Sequence, residues 1–373
     1  MQLVFWLAFG GVFYAYIGYP LVLSAWRRIR PRPLRRDPGA RPTVSIILPV
    51  YNEAAHLAQR LSELVALEYP ADRLEILVVS DGSDDGSDEV VRAAGATDPR
   101  IRLLRVAERR GKGNALNQGV ALVRTEVVVF IDAGIELDPD ALTAIVGPFA
   151  DPEVSCVSGE DRIRGFSGEG LYGRYELALR RGESAIHSLV GVSGSFYAQR
   201  RELCPTFPDG LAPDFVAALH AVSTGHRAVG EETATGWMGA VESHRDEFRR
   251  KVRTLLRGMA ALRAYASLLD PRRAGVFAFF LWSHKLMRWL VPVFLVAMLV
   301  ANAVLLRAPL YAAISVAQGL FYMAGLLALG GVGSGSRVGK FAGYFLNVNA
   351  AIAVAWVQFL RGRRQEVWAP SRR

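Results

Sequence analysis

A run of five apolar residues, Val127–Ile131, ends abruptly in the carboxylate of Asp132. A buried strand gains nothing from an acid at its exit, because an uncompensated charge is costly away from water. A reaction centre at the strand's carboxyl edge does use one, above all a centre that holds a divalent cation. Two further apolar runs leave their strands beside acids. SIILPVYNE reaches Glu53, and EILVVSDGSDDGS passes through Asp81. Open α/β sheets place ligands at the carboxyl ends of their strands.

The pattern between these runs sets the fold class. Residues 45–50, 74–79, 101–106 and 127–131 read as strands, and residues 54–67, 87–94 and 114–123 as helices. Apolar strands alternating with amphipathic helices predict an α/β domain with a mostly parallel sheet covered on both faces. A dinucleotide fold requires G-x-G-x-x-G after a strand, and none is present. The G-x-S-x-G elbow of a serine hydrolase is also absent. Cys156 and Cys204 are far apart and are expected to stay reduced; no Cys/His spacing suits zinc. His187, His220, His226, His244 and His284 are scattered, and structural or surface roles suit each.

The ends of the chain are far more apolar than this middle. Residues 4–23 are nearly free of charge, and six arginines between Arg27 and Arg36 follow. The segment lacks a basic leader and a small-residue cleavage site, so a retained anchor over residues 1–26 is expected. Arginines flanking a span belong on the cytoplasmic side, and that position speaks against nucleic acid as their partner. Residues 290–306, 310–329 and 341–360 are further candidate spans within a membrane region over 290–360. Residues 275–289 mix aromatics with His284, Lys285 and Arg288, which predicts an interfacial helix. A basic tail, residues 361–373, closes the chain. With residues 27–274 in the cytoplasm, three C-terminal spans put Arg361, Arg363 and Arg364 outside, against the usual Lys/Arg bias. Either the bias is overridden or one segment does not cross.

Several polar residues have both a chemical and a purely structural reading. Asp81 can accept a nucleobase N–H, while DGSDDGS equally suits a helix-capping turn. Tyr51 can stack on a base and Glu53 can fix its edge; packing and charge at a helix start are their alternatives. Lys112, between Gly111 and Gly113, can meet a phosphate or remain an exposed turn lysine. Asp214 can act as a base or cap the helix that follows it. Arg250 and Arg253 share a helix face that suits either diphosphate or anionic lipid.

The chain resembles the family 2 inverting glycosyltransferases, in particular their membrane-bound polysaccharide-synthase branch (cellulose, hyaluronan and poly-N-acetylglucosamine synthases). The resemblance rests on PVYNE at 49–53, SDGSDDGS at 80–87, GKGNALNQG at 111–119 and FIDAG at 130–134. VSG at 157–159, GVSGSFYAQRR at 191–201, APDF at 212–215 and EFRRKVRTLLRG at 247–258 continue it in order. It implies that residues 27–274 form a GT-A nucleotide-diphospho-sugar transferase domain in the cytoplasm, held at the inner (plasma) membrane by N- and C-terminal transmembrane helices.

The same resemblance assigns roles. Tyr51, Glu53 and Asp81 lie on the nucleobase side, and Lys112 belongs to the substrate cleft. Asp132 takes the first position of a D-x-D motif, a ligand for Mg2+ or Mn2+, and Gly134 replaces the second acid. Asp214 matches the final acid of the acceptor motif, with Pro213 in place of its neighbour, and is the implied catalytic base. Arg250 and Arg253 match the Gln and Arg of Q-x-x-R-W, while Thr254 replaces the Trp. The implied activity is metal-dependent inverting hexosyl transfer from a UDP-sugar to a growing extracellular polysaccharide. Membrane lipids and an export or accessory protein are partners this branch admits. Single-sugar transfer to a membrane lipid is the alternative reaction. The departures at Gly134, Pro213 and Thr254 also leave open a catalytically silent partner of another synthase.

Overall fold

The computed structural model describes residues 1–164, 168–239, 244–333 and 335–363. Arg364 and the rest of the basic tail lie outside the described residues. The first helix, α1, runs Gln2–Ile29 with a π-helical turn at Tyr14–Gly18. The chain then alternates β1 (Val44–Val50), α2 (Ala54–Val65), β2 (Leu74–Asp81), α3 (Ser87–Thr97), β3 (Ile101–Val106), α4 (Lys112–Leu122) and β4 (Val127–Ile131). Every expected strand and helix of this half is present. One boundary matters for chemistry: α4 starts at Lys112, which therefore occupies the first turn of a helix.

The second half adds β5 (Glu136–Leu137), α5 (Ala141–Val146), β6 (Val154–Ile163), α6 (Gly168–Ile186), β7 (Phe196–Arg200), α7 (Pro213–Ser223), β8 (Arg227–Met238) and α8 (His244–Ala264). One eight-stranded sheet results, in the order β3-β2-β1-β4-β7-β6-β8-β5. β1 pairs in parallel with β2 and β4, and β2 with β3. β7 enters antiparallel between β4 and β6, whereas β6 and β8 are parallel. The sheet is thus parallel at one end and mixed at the other. β1 and β4 are buried along their whole length, which explains their unbroken Val/Ile/Leu runs. One apolar cluster joins Ile46, Leu48, Leu57, Leu61, Val78 and Val129 on one face; the other face carries Ile47, Val79, Leu116, Phe130 and Phe215.

Three more long helices follow: α9 (Val276–Val304), α10 (Pro309–Leu329) and α11 (Arg337–Leu360). Together with α1, four helices are long and apolar enough to cross a membrane. No helix boundary falls at residue 289, where a separate interfacial helix was expected to end. α9 continues through it, with a π-helical turn at Leu281–Leu286. Two of the charged residues that suggested a water-facing segment, His284 and Arg288, are buried against α6 instead. His284 lies 2.6 Å from Glu183 and 2.9 Å from Glu176, and Arg288 lies 2.8 Å from Glu176. Paired charges of this kind are tolerated where an unpaired one is not. Tyr19 of α1 donates to the same Glu183 at 2.8 Å, so α1, α6 and α9 meet in one polar knot.

Candidate active site

The loops after β1 and β2 are clasped together before any ligand arrives. Asn52 sits in the left-handed region, with φ 55°. Its amide donates to Asp84 at 2.8 Å and accepts the Asp84 backbone N–H at 3.0 Å. The backbone N–H of Glu53 donates to Ser87 Oγ, and that of Ala54 to Asp85 Oδ2, both at 3.0 Å. Burial opposes ionisation of Asp85, but the Ser87 hydroxyl and the Ala54 and Ser87 N–H groups hold its pKa below the usual range. Much of the acid-rich DGSDDGS motif is therefore spent on local structure. Burial pushes the Glu53 carboxyl upward; His56 opposes the shift, and the charges of Asp85 and Asp132 add to it.

Asp81 is nearly fully buried and accepts backbone N–H groups from Arg110 at 2.9 Å and Gly111 at 2.7 Å. It fixes the turn that presents Lys112. A carboxylate has about four acceptor sites, so a base N–H can still be received. Gly111 makes the turn with φ 92°, a conformation that side chains rarely adopt. Tyr51 does not present a free ring face on both sides, because the Arg109 guanidinium lies 3.5 Å above its centroid. Arg109 was not singled out from the sequence; its position in a loop gives no periodic signal.

The centre of the cleft is a pair. Lys112 Nζ donates to Asp132 Oδ1 at 2.5 Å and to the carbonyl of Gly194 at 2.8 Å. The backbone N–H of Asp132 donates to the carbonyl of Ser195 at 2.9 Å. A β-carbon placed on Gly194 would lie 3.9 Å from the Asp214 carboxylate. The loop at residues 191–195 thus brings Lys112, Asp132 and Asp214 to one place. Asp214 stands in the first turn of α7, behind Pro213.

Among the described residues no group of three or more His, Cys, Asp or Glu could hold a metal ion. Asp132 stands as a single carboxylate, and a β-carbon on Gly134 would meet nothing within 4 Å. That donor set fits a cation that arrives with oxygens of its own, as on a diphosphate, rather than a resident ion.

Arg250, Arg253 and Arg257 recur along one stripe of α8. Burial lowers the pKa of Arg253, and the like charges of Arg257 and Arg250 add to the shift. Burial lowers that of Arg257 too, opposed by the carboxylates of Asp214 and Asp209. Arg257 Nε is buried without a hydrogen-bond partner among the described residues. From the sequence alone Arg257 has no matched role beside Arg253 and reads as part of a lipid-facing basic patch. Its spacing four residues beyond Arg253 was the available signal.

Residues 45–205 match the family Glycosyl transferase family 2. The poly-beta-1,6-N-acetyl-D-glucosamine synthase of Staphylococcus aureus is 26% identical over 244 residues, covering 62% of this chain and 58% of that protein. The Staphylococcus epidermidis synthase is 29% identical over 162 residues, 41% of this chain and 38% of its own length. The chain thus spans 58% and 38% of the length of these two curated relatives. Among solved structures, the mannosyltransferase PcManGT from Pyrobaculum calidifontis, in complex with GDP-Man and Mn2+, superposes with a TM-score of 0.78 at 26% identity. That likeness covers 97% of this chain and 99% of that one, so it takes in the long apolar helices of this chain. Residues 45–205 thus carry the likeness to glycosyltransferase family 2 on a GT-A-like fold, and the chain is similar at low identity to polysaccharide-synthase-type and other sugar-transferring enzymes.

Proposed function

We propose that this chain is a membrane-bound, metal-dependent inverting glycosyltransferase that moves a single sugar from a nucleotide-sugar donor to a lipid-held acceptor. One observation carries the choice of a single transfer. The likeness to a mannosyltransferase extends through the long apolar helices, whereas the two polysaccharide synthases are matched over 58% and 38% of their length. The expectation of a growing polysaccharide gives way on that ground. The UDP expected from the resemblance has GDP as its competitor, because the solved neighbour holds GDP-Man.

In this reading Tyr51, Glu53 and Asp81 receive the nucleobase, with Arg109 as an added planar contact. Lys112, Arg250 and Arg253 face the diphosphate. Asp132 would hold Mn2+ or Mg2+ together with diphosphate oxygens, and the ion would neutralise charge on the leaving group. Asp214 takes the proton from the acceptor hydroxyl as that oxygen attacks the anomeric carbon from the opposite side. Charge stabilisation and base work thus fall to different groups.

The catalytic domain faces the cytoplasm, and three helices cross: α1, α9 and α10. α11 lies along the interface. It packs against α10 and also against α8, and its Trp356 indole donates to the backbone of Trp289 at 2.8 Å. Ile352 and Ala355 of α11 share a core cluster with Phe215. This arrangement keeps Arg361 and Arg363 on the cytoplasmic side, in line with the Lys/Arg bias. Cysteine labelling at position 361 from the outside alone would overturn it.

The test of function uses the purified full chain with Mn2+, UDP- and GDP-linked hexoses and a native lipid extract, followed by product sizing. One sugar per lipid is expected. A ladder would restore the polymerase, and no transfer from any donor would favour a silent partner.

A further inference from the structure

Lys285 lies at the junction of membrane helix and active site. Its ammonium is 5.4 Å from the centroid of the Phe215 ring, and Phe215 directly follows Asp214. A β-carbon on Gly191 would stand 3.8 Å from Lys285 Nζ. Gly191 opens the loop whose Gly194 approaches the Asp214 carboxylate. Lys285 therefore touches both walls of the space around the proposed base.

This cation makes no hydrogen bond or ion pair with another described residue. The nearby acids are already engaged. Glu176 faces His284 and Arg288, and Glu183 accepts from Tyr19 and from the backbone of Val190 while facing His284. Arg180, which donates twice to the carbonyl of Gly191 at 3.1 Å, adds further positive charge. An ammonium offers three donors, and the ring face of Phe215 accepts none of them as a full hydrogen bond. Glu176 and Glu183 offset its charge from a distance, but its three donors find no acceptor among the described residues and can still receive an anionic oxygen.

We propose that Lys285 binds a phosphate ester on the acceptor, next to the hydroxyl that Asp214 activates. The acceptor class is a lipid phosphodiester bearing a free hydroxyl, and the inference rests on the single-transfer reading above. A neutral acylglycerol would place its hydroxyl at Asp214 but leave Lys285 unmatched.

The test uses the full chain in neutral detergent micelles and calorimetric titration with dihexanoyl-phosphatidylglycerol, dihexanoylglycerol and glycerol 3-phosphate. Wild type should bind the phospholipid about tenfold or more tighter than the neutral lipid, as a charge-assisted contact requires. Lys285→Met keeps the packing on Phe215 and should erase that preference, while Lys285→Arg should retain it. Affinity for UDP or GDP with Mn2+ should be unchanged in both, which separates this role from a structural one. Equal preference in wild type and Lys285→Met would overturn the proposal. Glycerol 3-phosphate binding as tightly as the phospholipid would overturn the lipid as source. An intact phospholipid preference without transfer to any lipid would uphold the site and overturn the glycosyl-transfer reading instead.

Discussion

In the nucleotide-free protein, the acid proposed to hold a metal already has a cation. Lys112 and Asp132 are 2.5 Å apart, with side-chain exposures of 11% and 30%. Exposed pairs contribute about 0–1 kcal/mol, and removing one partner of a fully buried pair costs about 3–5 kcal/mol. This half-buried pair falls between them, at about 1–3 kcal/mol. A divalent ion that binds Asp132 must first displace the ammonium. Lys112→Met removes the charge while keeping an apolar stem. Without nucleotide, Mn2+ should then bind tighter, by about fivefold at the lower bound and about 100-fold at the upper, since about 1.4 kcal/mol is tenfold. Rehydration of the exposed side of Asp132 favours the lower part of that range. The free Mn2+ signal in electron paramagnetic resonance measures the affinity directly. Lys112→Met and the Lys112→Met/Asp132→Asn double variant should differ, because the gain depends on the carboxylate. Equal or weaker Mn2+ binding by Lys112→Met would refute the competition and leave the pair as a purely structural bridge.

Asp214→Asn should spare nucleotide binding and depress turnover by about 100-fold or more, the scale of general-base catalysis; normal transfer by the variant would remove Asp214 from the mechanism. Asp81→Ala should weaken nucleotide binding and also lower thermal stability, because the buried N–H of Gly111 loses its acceptor at about 1–3 kcal/mol and the part-buried N–H of Arg110 loses one too; a melting curve and a UDP or GDP titration read the two effects. Arg257→Ala should slow transfer at least as much as Arg253→Ala, because Arg257 is the arginine whose charge faces Asp214; initial rates decide, and a wild-type rate in Arg257→Ala would return it to a packing role. His187 has its pKa lowered to about 4 by burial and then by Arg32 and Arg227. The unfolded chain binds that proton first, so this residue takes stability away as pH falls from about 6.5 towards 4. His187→Asn should flatten that part of the acid limb in a thermal-melting series, and an unchanged limb would contradict the shift.

The sequence by itself determined the parallel α/β half and the apolar helices at the two ends. Strands such as Val44–Val50 and Val127–Ile131 are buried on both faces, so their uninterrupted apolar runs are visible without coordinates. The acids at their exits were visible for the same reason: nothing in a packed strand accounts for Asp132. The antiparallel insertion of β7 was not legible, because strand direction depends on partners far along the chain. Tertiary structure also decided what each charge faces. Lys112 and Asp132 lie on neighbouring elements and meet only because Gly111 turns α4 towards the end of β4. His284 and Arg288 read as interfacial in one dimension; folding brings Glu176 and Glu183 of α6 against them, more than 100 residues away. Arg257 looked like one more basic residue until α8 was seen against Asp214. Local period reports which face of an element is buried, but the identity of the atom across the gap is a property of the whole chain's closure.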